Sequence, residues 1–280
     1  MRVQLCGVRG STPAPGREFM RYGGHTSCVA VTADGDDVPT LILDAGTGIR
    51  QVTPLLGGQA FAGSILLTHL HWDHTQGMPF FRGGDREDAC VRVLLPEQLD
   101  GRSAEAALAK GMSPPQFPVA PGELRGVWSF TGIVPGRLEV EGFTVEVREI
   151  PHKGGRTFGY RVSDDHSAIG YSPDHCPTVL GSGPDGWGEY HRDALEMADG
   201  VDLLLHDAHL VADELAAEAY FGHAACDYAV ALAGRAGAKA VVLFHHKPDR
   251  TDEALDEIGR GFESSLLPVT VGAEGTIFEI

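Results

Sequence analysis

The sequence predicts a layered α/β protein in which two sheets lie face to face and helices cover them. Three observations carry this expectation. Short runs rich in Val, Ile and Leu recur throughout the 280 residues, and helix-like segments are fewer and interspersed among them. The 42% hydrophobic content is enough for one well-buried core, and no Pro-, Gly- or Ser-rich stretch reads as a linker. The expectation is therefore one domain over residues 1–280.

Taken in order, strand-like runs fall at about residues 2–8, 27–33, 40–44, 64–68, 91–95, 143–150, 158–163, 167–172, 201–206, 239–244 and 275–280. Branched and aliphatic side chains suit a pleated, half- or fully buried surface. In the fourth run, Ile65, Leu66 and Leu67 stand in a row, the pattern of a strand buried on both faces. The clearest helices are expected at 104–110, 190–198, 213–220, 223–234 and 252–262. Several carry Asp or Glu near their starts, where the helix dipole favours negative charge. No internal repeat marks two equivalent halves.

Charge and cysteine usage exclude some classes of partner. A formal charge of −17 repels phosphate over most of the surface, so a large nucleic acid is disfavoured. Five scattered cysteines without a C-x-x-C pair fit a reducing compartment, and the cytoplasm is the expected location. The N-terminal residues have no apolar leader pattern, and no segment approaches the ~20 apolar residues of a membrane span.

The chemistry concentrates where the fourth strand ends. LLTHLHWDHTQGMPFF, residues 66–81, holds His69, His71, Asp73 and His74 in H-x-H-x-D-H order. With 13 histidines in the chain, chance would produce such a match about two times in a thousand, which favours a site over a histidine-rich loop. If the chain stays extended, a period of two puts His69 and His71 on one side. Asp73 and His74 then enter what reads as a first helical turn and aim differently, so they can serve a second ion. Nitrogen and carboxylate donors in this mix suit zinc, manganese or iron rather than calcium.

Further donors are expected at later strand ends, as in open α/β architectures. His152 follows the run at 143–150 and is close to Gly154 and Gly155, which let the backbone bend around a ligand. Asp174 follows the run at 167–172, and its carboxylate could bridge two ions. His245 follows the run at 239–244, with His246 beside it.

This set of motifs resembles the metallo-β-lactamase superfamily of two-metal hydrolases across essentially the whole chain. MRVQLCGVRGSTPAPG, RYGGHTSCV, LILDAGTGIR and GHAACDYAVALA are similar to the branch containing ribonuclease Z and the cyclic-phosphate phosphodiesterases. The resemblance implies an αββα sandwich. It implies His69, His71 and His152 on one divalent ion, Asp73, His74 and His245 on the other, and Asp174 bridging, with zinc expected and manganese or iron as alternatives. It also makes Asp44 the buried carboxylate that orients a ligating histidine; the bland alternative is a turn-forming Asp before Gly46.

Asp73 and His223 are the expected catalytic residues. Two ions would lower the pKa of a bridging water and counter charge on a phosphoryl oxygen, and His223, expected at a helix start, resembles the branch's donor of a proton to the leaving oxygen. The expected substrate is a small cyclic or nucleotide-like phosphodiester. Alternatives are ribonuclease Z-like RNA processing, lactone, β-lactam or thioester hydrolysis, and a binding module without turnover. Residues 82–126 hold few Lys or Arg and are broken by prolines, unlike the basic arm with which ribonuclease Z grips tRNA.

Several positions depart from the branch pattern. His25 stands where related proteins have Asn, Ala224-Ala225 replace a Ser-Thr pair, and Lys153 precedes the glycines where Pro is common. The first two remove small polar groups from expected phosphate contacts; the third changes loop shape rather than ligation. His206, Asp207 and His209 are expected to pack behind the ligands, and Cys176 to be a small buried hydrophobe outside the site. Phe80, Phe81, Met112 and Phe117 could line a substrate cleft or the contact of a homodimer, with plain core packing the commoner fate of each.

Overall fold

The computed structural model describes all 280 residues. Its first half contains β1 (Arg2–Gly7), β2 (Cys28–Thr32), β3 (Leu41–Leu43), β4 (Ala62–Leu66), β5 (Cys90–Pro96) and β6 (Val127–Ile133). The second half contains β7 (Gly136–Val140), β8 (Phe143–Glu149), β9 (Phe158–Ser163), β10 (Ala168–Ser172), β11 (Leu203–Asp207), β12 (Val241–Phe244) and β13 (Val269–Val271), and β14 (Ile277–Glu279) ends the chain. The helices are α1 (Val52–Leu55), α2 (Trp72–Thr75), α3 (Ala104–Ala109), α4 (Arg192–Ala198), α5 (Leu215–Glu218), α6 (Cys226–Arg235) and α7 (Asp252–Gly261).

The strands form two seven-stranded sheets, ordered β14-β1-β2-β3-β4-β5-β6 and β13-β12-β11-β10-β9-β8-β7. Each sheet begins as an antiparallel meander and continues as parallel strands: β1 to β3 then β3 to β6 in one, β7 to β10 then β10 to β13 in the other. The two halves thus share a topology that no repeat in the sequence betrays.

Alternation along each strand builds three layers of core. Val3, Leu5, Leu43 and Leu66 of the first sheet meet Val147, Tyr160, Leu205 and Phe244 of the second between the sheets. Their neighbours Ile42, Ile65 and Val93 point outward to Val52, Leu56 and Leu108 under the helices of the first half. Leu204 and Val241 point outward to Met197, Tyr228 and Leu232 beneath α4 and α6. This is the αββα arrangement expected from the sequence. No helix is long and apolar enough to cross a membrane.

Three strands escaped the sequence reading. β6 and β7 are sheet edges whose residues are mostly exposed or half-buried, so neither carries the apolar run of a central strand. β13 is only three residues long. Two helix boundaries also differ. The expected helix at 213–220 is a four-residue α5 flanked by 3-10 turns. α6 starts at Cys226 rather than at His223, because Leu210 pairs with the chain on either side of Ala225: Leu210 N donates to Ala224 O (3.1 Å) and Cys226 N to Leu210 O (2.9 Å).

The segment after β12 is clamped to the rest of the second half. Arg250 donates twice to the Glu214 carboxylate, at 3.1 and 2.6 Å, and once to the carbonyl of His209 at 3.0 Å. Burial opposes ionisation of Glu214, but the Arg250 fork and the Val211 amide outweigh it and bring its pKa down to about 2. A depressed folded pKa means that this stabilisation is complete above the unfolded value and is lost as pH falls through the folded one. Glu214→Gln should therefore lower the urea midpoint at pH 6, and the gap to the parent protein should narrow steadily toward pH 3. A gap independent of pH would refute the ion-pair account.

Candidate metal centre

The donors gather at the C-terminal ends of four strands and on the short helix α2, where parallel and mixed sheets leave a crevice. His69 and His71 follow β4, His152 follows β8, Asp174 follows β10, and His245 follows β12, while Asp73 and His74 occupy the first turn of α2. His69, His71, His152 and Asp174 converge as one group of donor atoms, and Asp73, His74 and His245 as another. His71, Asp73, His152 and Asp174 line a cavity of about 670 Å³, together with His209 and His223.

Asp174 joins the two groups. Its Oδ2 lies 3.2 Å from His152 Nε2 and 3.7 Å from His69 Nε2. Its Oδ1 lies 3.0 Å from His74 Nε2 and 3.1 Å from His245 Nε2. Asp73 Oδ2 is 3.0 Å from His245 Nε2 and 3.3 Å from His74 Nε2. Donors held ~2.0–2.1 Å from one tetrahedral ion lie about 3.3–3.4 Å apart, so this spacing is that of a coordination shell. His69 Nε2 and Asp174 Oδ1 are buried without a hydrogen-bond partner, a costly state that a cation would relieve. The residues therefore fit divalent metal.

The surrounding groups set which ring nitrogen faces the centre. Asp44 accepts His74 Nδ1–H at 2.8 Å, the Tyr171 hydroxyl at 2.9 Å and the Thr68 amide at 2.7 Å. It is at once the orienting carboxylate and a turn residue, with φ at +58°. His152 Nδ1–H donates to the Gly222 carbonyl at 2.7 Å, which leaves Nε2 for the centre. The Ser11 amide donates to Asp73 Oδ2 at 2.6 Å. Two glycines are steric requirements: a Cβ on Gly10 would lie 2.4 Å from the His245 ring, and one on Gly154, at φ +96°, would lie 2.8 Å from His71 Nε2.

Electrostatics favour the ligand forms of three histidines and both carboxylates, while the carboxylates around His74 favour its proton, which a metal ion would have to displace. Burial lowers the pKa of His69, His71 and His152, keeping these imidazoles neutral. Burial would raise Asp73 and Asp174, but the neighbouring histidines hold both carboxyls well below their usual range. His74 is raised well above its usual value because Asp73, Asp174 and Asp44 together outweigh burial.

Of the two expected catalytic residues, Asp73 lies inside the donor cluster and His223 at its edge. His223 Nδ1 donates to Asp207 Oδ2 at 3.0 Å; burial opposes protonation, yet Asp207 pushes the His223 pKa up to about 9. Asp207 is held in turn by the amides of His175, His209 and Ala224. His209 stacks on His223 at 4.1 Å between ring centroids, and its ring also comes within reach of His245 as a third donor group. His206 turns away to His175, 3.0 Å from its Nδ1, and Cys176 lies against Thr178 and the Ala219 carbonyl, outside the donors.

His25 is bonded to Thr47 and Glu274 and does not line the cavity. Reading from the sequence missed the His223–Asp207 pair as a unit and the Ser11 amide on Asp73. The signal for the second was GVRGSTP, a glycine before a short polar residue near a site rich in charge.

Two mixed sheets, helices on both outer faces and a buried His/Asp cluster at the strand ends define a metal-dependent hydrolase of the metallo-β-lactamase fold. Residues 40–246 match the family described as "Beta-lactamase superfamily domain", and the chain belongs to that family. Its members hold divalent metal, typically zinc, in such His/Asp clusters. The chain is 25% identical to a ribonuclease Z of Haloarcula marismortui, over 98% of this chain and 96% of that one. It is 26% identical to a ribonuclease Z of Salinibacter ruber, over 83% of each. Among solved structures it is similar to the metallo-β-lactamase fold protein YhfI of Bacillus subtilis, with a TM-score of 0.69, 17% identity and coverage of 100% and 98% of the two chains.

Asp44 offers a direct test of how the centre is held. Asp44→Asn turns a pure acceptor into a group with two N–H donors facing the donors of Thr68, His74 and Tyr171. We expect a loss of about 2–3 kcal/mol in urea unfolding of the metal-free protein and roughly 10- to 100-fold weaker zinc binding by competitive chelator titration. Unchanged zinc affinity would remove Asp44 from any orienting role.

Proposed function

We propose that the protein is a phosphodiesterase that binds two divalent ions per chain and hydrolyses a small cyclic or nucleotide-like phosphodiester. In this reading His69, His71 and His152 hold one ion, Asp73, His74 and His245 hold the other, and Asp174 bridges. The observation that carries it is the division of the Asp174 carboxylate, one oxygen toward each histidine group. Bound there, the ions would supply Lewis acidity, lowering the pKa of a water and countering charge on the phosphoryl oxygens.

The protein's own residues supply the rest. His223 Nδ1 is committed to Asp207, so Nε2 is the nitrogen left to give its proton to the leaving alkoxide as the P–O bond breaks. Asp207 stabilises the imidazolium before transfer, and divalent charge nearby acts in the opposite direction on the His223 pKa, toward neutrality. Lys153 adjoins His152, sits 5.3 Å above the Tyr220 ring and forms no carboxylate pair, which leaves its cation uncommitted to any acidic group.

Ribonuclease Z-like RNA processing is the second reading, favoured by the similarity to two ribonuclease Z relatives, one over nearly the full length and one over 83% of each chain. Against it stands the acidic surface, with a net charge of −17. Metal-loaded protein should hydrolyse bis(p-nitrophenyl) phosphate or a cyclic nucleotide in preference to a β-lactam, a lactone or a precursor tRNA. Robust turnover of one of the last three, with no hydrolysis of the small diesters, overturns the proposal. Metal analysis after reconstitution should give two ions per chain; saturation at one, with His245 unbound, rules out the paired centre.

His223→Ala should retain both metals and the fold while losing about 10²- to 10⁴-fold in rate on diesters with poor leaving groups. The loss should be smaller for an activated aryl ester, whose leaving group needs little protonation. His245→Ala should instead lose metal. Equal metal loss in the two variants, or unaltered rates on both esters for His223→Ala, would defeat the general-acid role.

A further inference from the structure

Beside the metal centre runs a second concavity of about 660 Å³, and it shares Leu70 and Trp72 as a common wall with the cavity that holds the donors. Trp72 directly follows His71 in the chain. Its side chain is 73% exposed, and that of Phe80, across the groove, is 55% exposed. Phe80 is braced edge-on by Phe117 at 5.7 Å between centroids. Large aromatic faces left open to water beside a reaction centre mark a ligand-binding surface more often than chance exposure does.

The polar groups of the groove narrow the choice of ligand. Gln116 is exposed, with an amide that makes no hydrogen bond within the protein, and Lys110 forms no ion pair. A purely alkyl ligand would gain nothing from an amide that both donates and accepts, whereas a heterocyclic base edge presents both kinds of group. Aromatic faces give a base a stacking platform that tolerates any sequence. An unpaired lysine in a chain of net charge −17 complements an anion.

We propose that this groove binds the nucleobase of the substrate, stacked against Trp72 and Phe80, with the attached phosphodiester reaching the donor cluster past the shared wall. The inference rests on the phosphodiesterase reading and makes it specific: the substrate is a nucleoside phosphodiester rather than an alkyl or acyl one. Phe80, Phe81, Met112 and Phe117 are expected from the sequence as core, cleft or subunit contact, and Trp72 carries no such expectation. Phe81 is core and fully buried, Met112 is mostly buried, and Phe80 and Phe117 form the groove wall.

The test compares two esters with the same leaving group on the metal-loaded protein, methyl p-nitrophenyl phosphate and thymidine 5′-(p-nitrophenyl phosphate). Base stacking predicts a kcat/KM ratio of about ten or more in favour of the thymidine ester, carried by KM. Phe80→Tyr should keep that ratio and Phe80→Leu should lose most of it, since leucine retains apolar bulk but no aromatic face. A ratio near one with both esters turned over, or full preference in Phe80→Leu, overturns the inference and leaves the phosphodiesterase reading standing. An octyl p-nitrophenyl ester preferred over the thymidine ester would assign the groove to an apolar chain and also overturn it. Turnover of neither ester sinks the parent reading and this inference together. Binding gives an independent readout: thymidine 5′-monophosphate should quench the intrinsic fluorescence and bind at least tenfold more tightly than ribose 5-phosphate, and equal affinities would count against the groove.

Discussion

Everything in this molecule that bears on function is arranged around one buried carboxylate. Asp174 is 2% exposed and sits among four imidazoles drawn from β4, α2, β8 and β12. Such a group is tolerated only where positive charge or donated protons compensate its desolvation. The fold supplies that compensation by bringing strand ends of both sheets to one edge, so the relative placement of the sheets and the survival of Asp174 as an anion are a single constraint. The interior layer of Leu5, Leu43, Tyr160, Leu205 and Phe244 holds the edges in register.

Local strain marks the same place. Asp44 and His245 both have positive φ, at +58° and +61°, a conformation that costs a non-glycine residue roughly 1 kcal/mol or more. Asp44 follows β3 and His245 follows β12, so each half turns its chain sharply where a polar side chain must point back to the centre. The bonds of Asp44 to Thr68, His74 and Tyr171 hold its turn. At His245 its own carbonyl accepts from the His209 ring at 3.2 Å, and Arg250 fastens the chain just beyond.

The donors His69, His71, Asp73 and His74 were legible because they lie within six residues and follow a strand whose burial is written in consecutive aliphatics. His152, Asp174 and His245 were legible for a weaker reason, their recurrence after other strands. The edge strands β6 and β7 were not, since a strand with one neighbour and a wet face needs no apolar run. The His223–Asp207 pair was missed because it depends on how the loop before α6 pairs with Leu210, a contact between residues more than a dozen apart that neither spacing nor periodicity encodes. Asp207 was expected only to pack behind the ligands, and its amide bonds from His175, His209 and Ala224 explain why that position required a carboxylate.

Charge connects the site to the size of its substrate. A net charge of −17 acts over a Debye length of about 8 Å at physiological salt, so a ligand feels mainly the groups within that radius. A single phosphodiester that reaches the centre meets imidazoles, carboxylates already compensated by histidines, and the cations the donors would hold. A long nucleic acid lays many phosphates across the remaining acidic surface, and each of them needs a lysine or arginine to repay its desolvation and displaced counterions. Surface cations here are largely committed: Arg250 and Lys247 to Glu214 and Glu218, Arg21 to Asp256, Arg125 to Asp85, Arg156 to Glu149. The penalty therefore grows with every phosphate beyond the first while the attraction of the centre is felt only once, and this asymmetry is the electrostatic ground on which the proposal of a small substrate, rather than a polymer, rests.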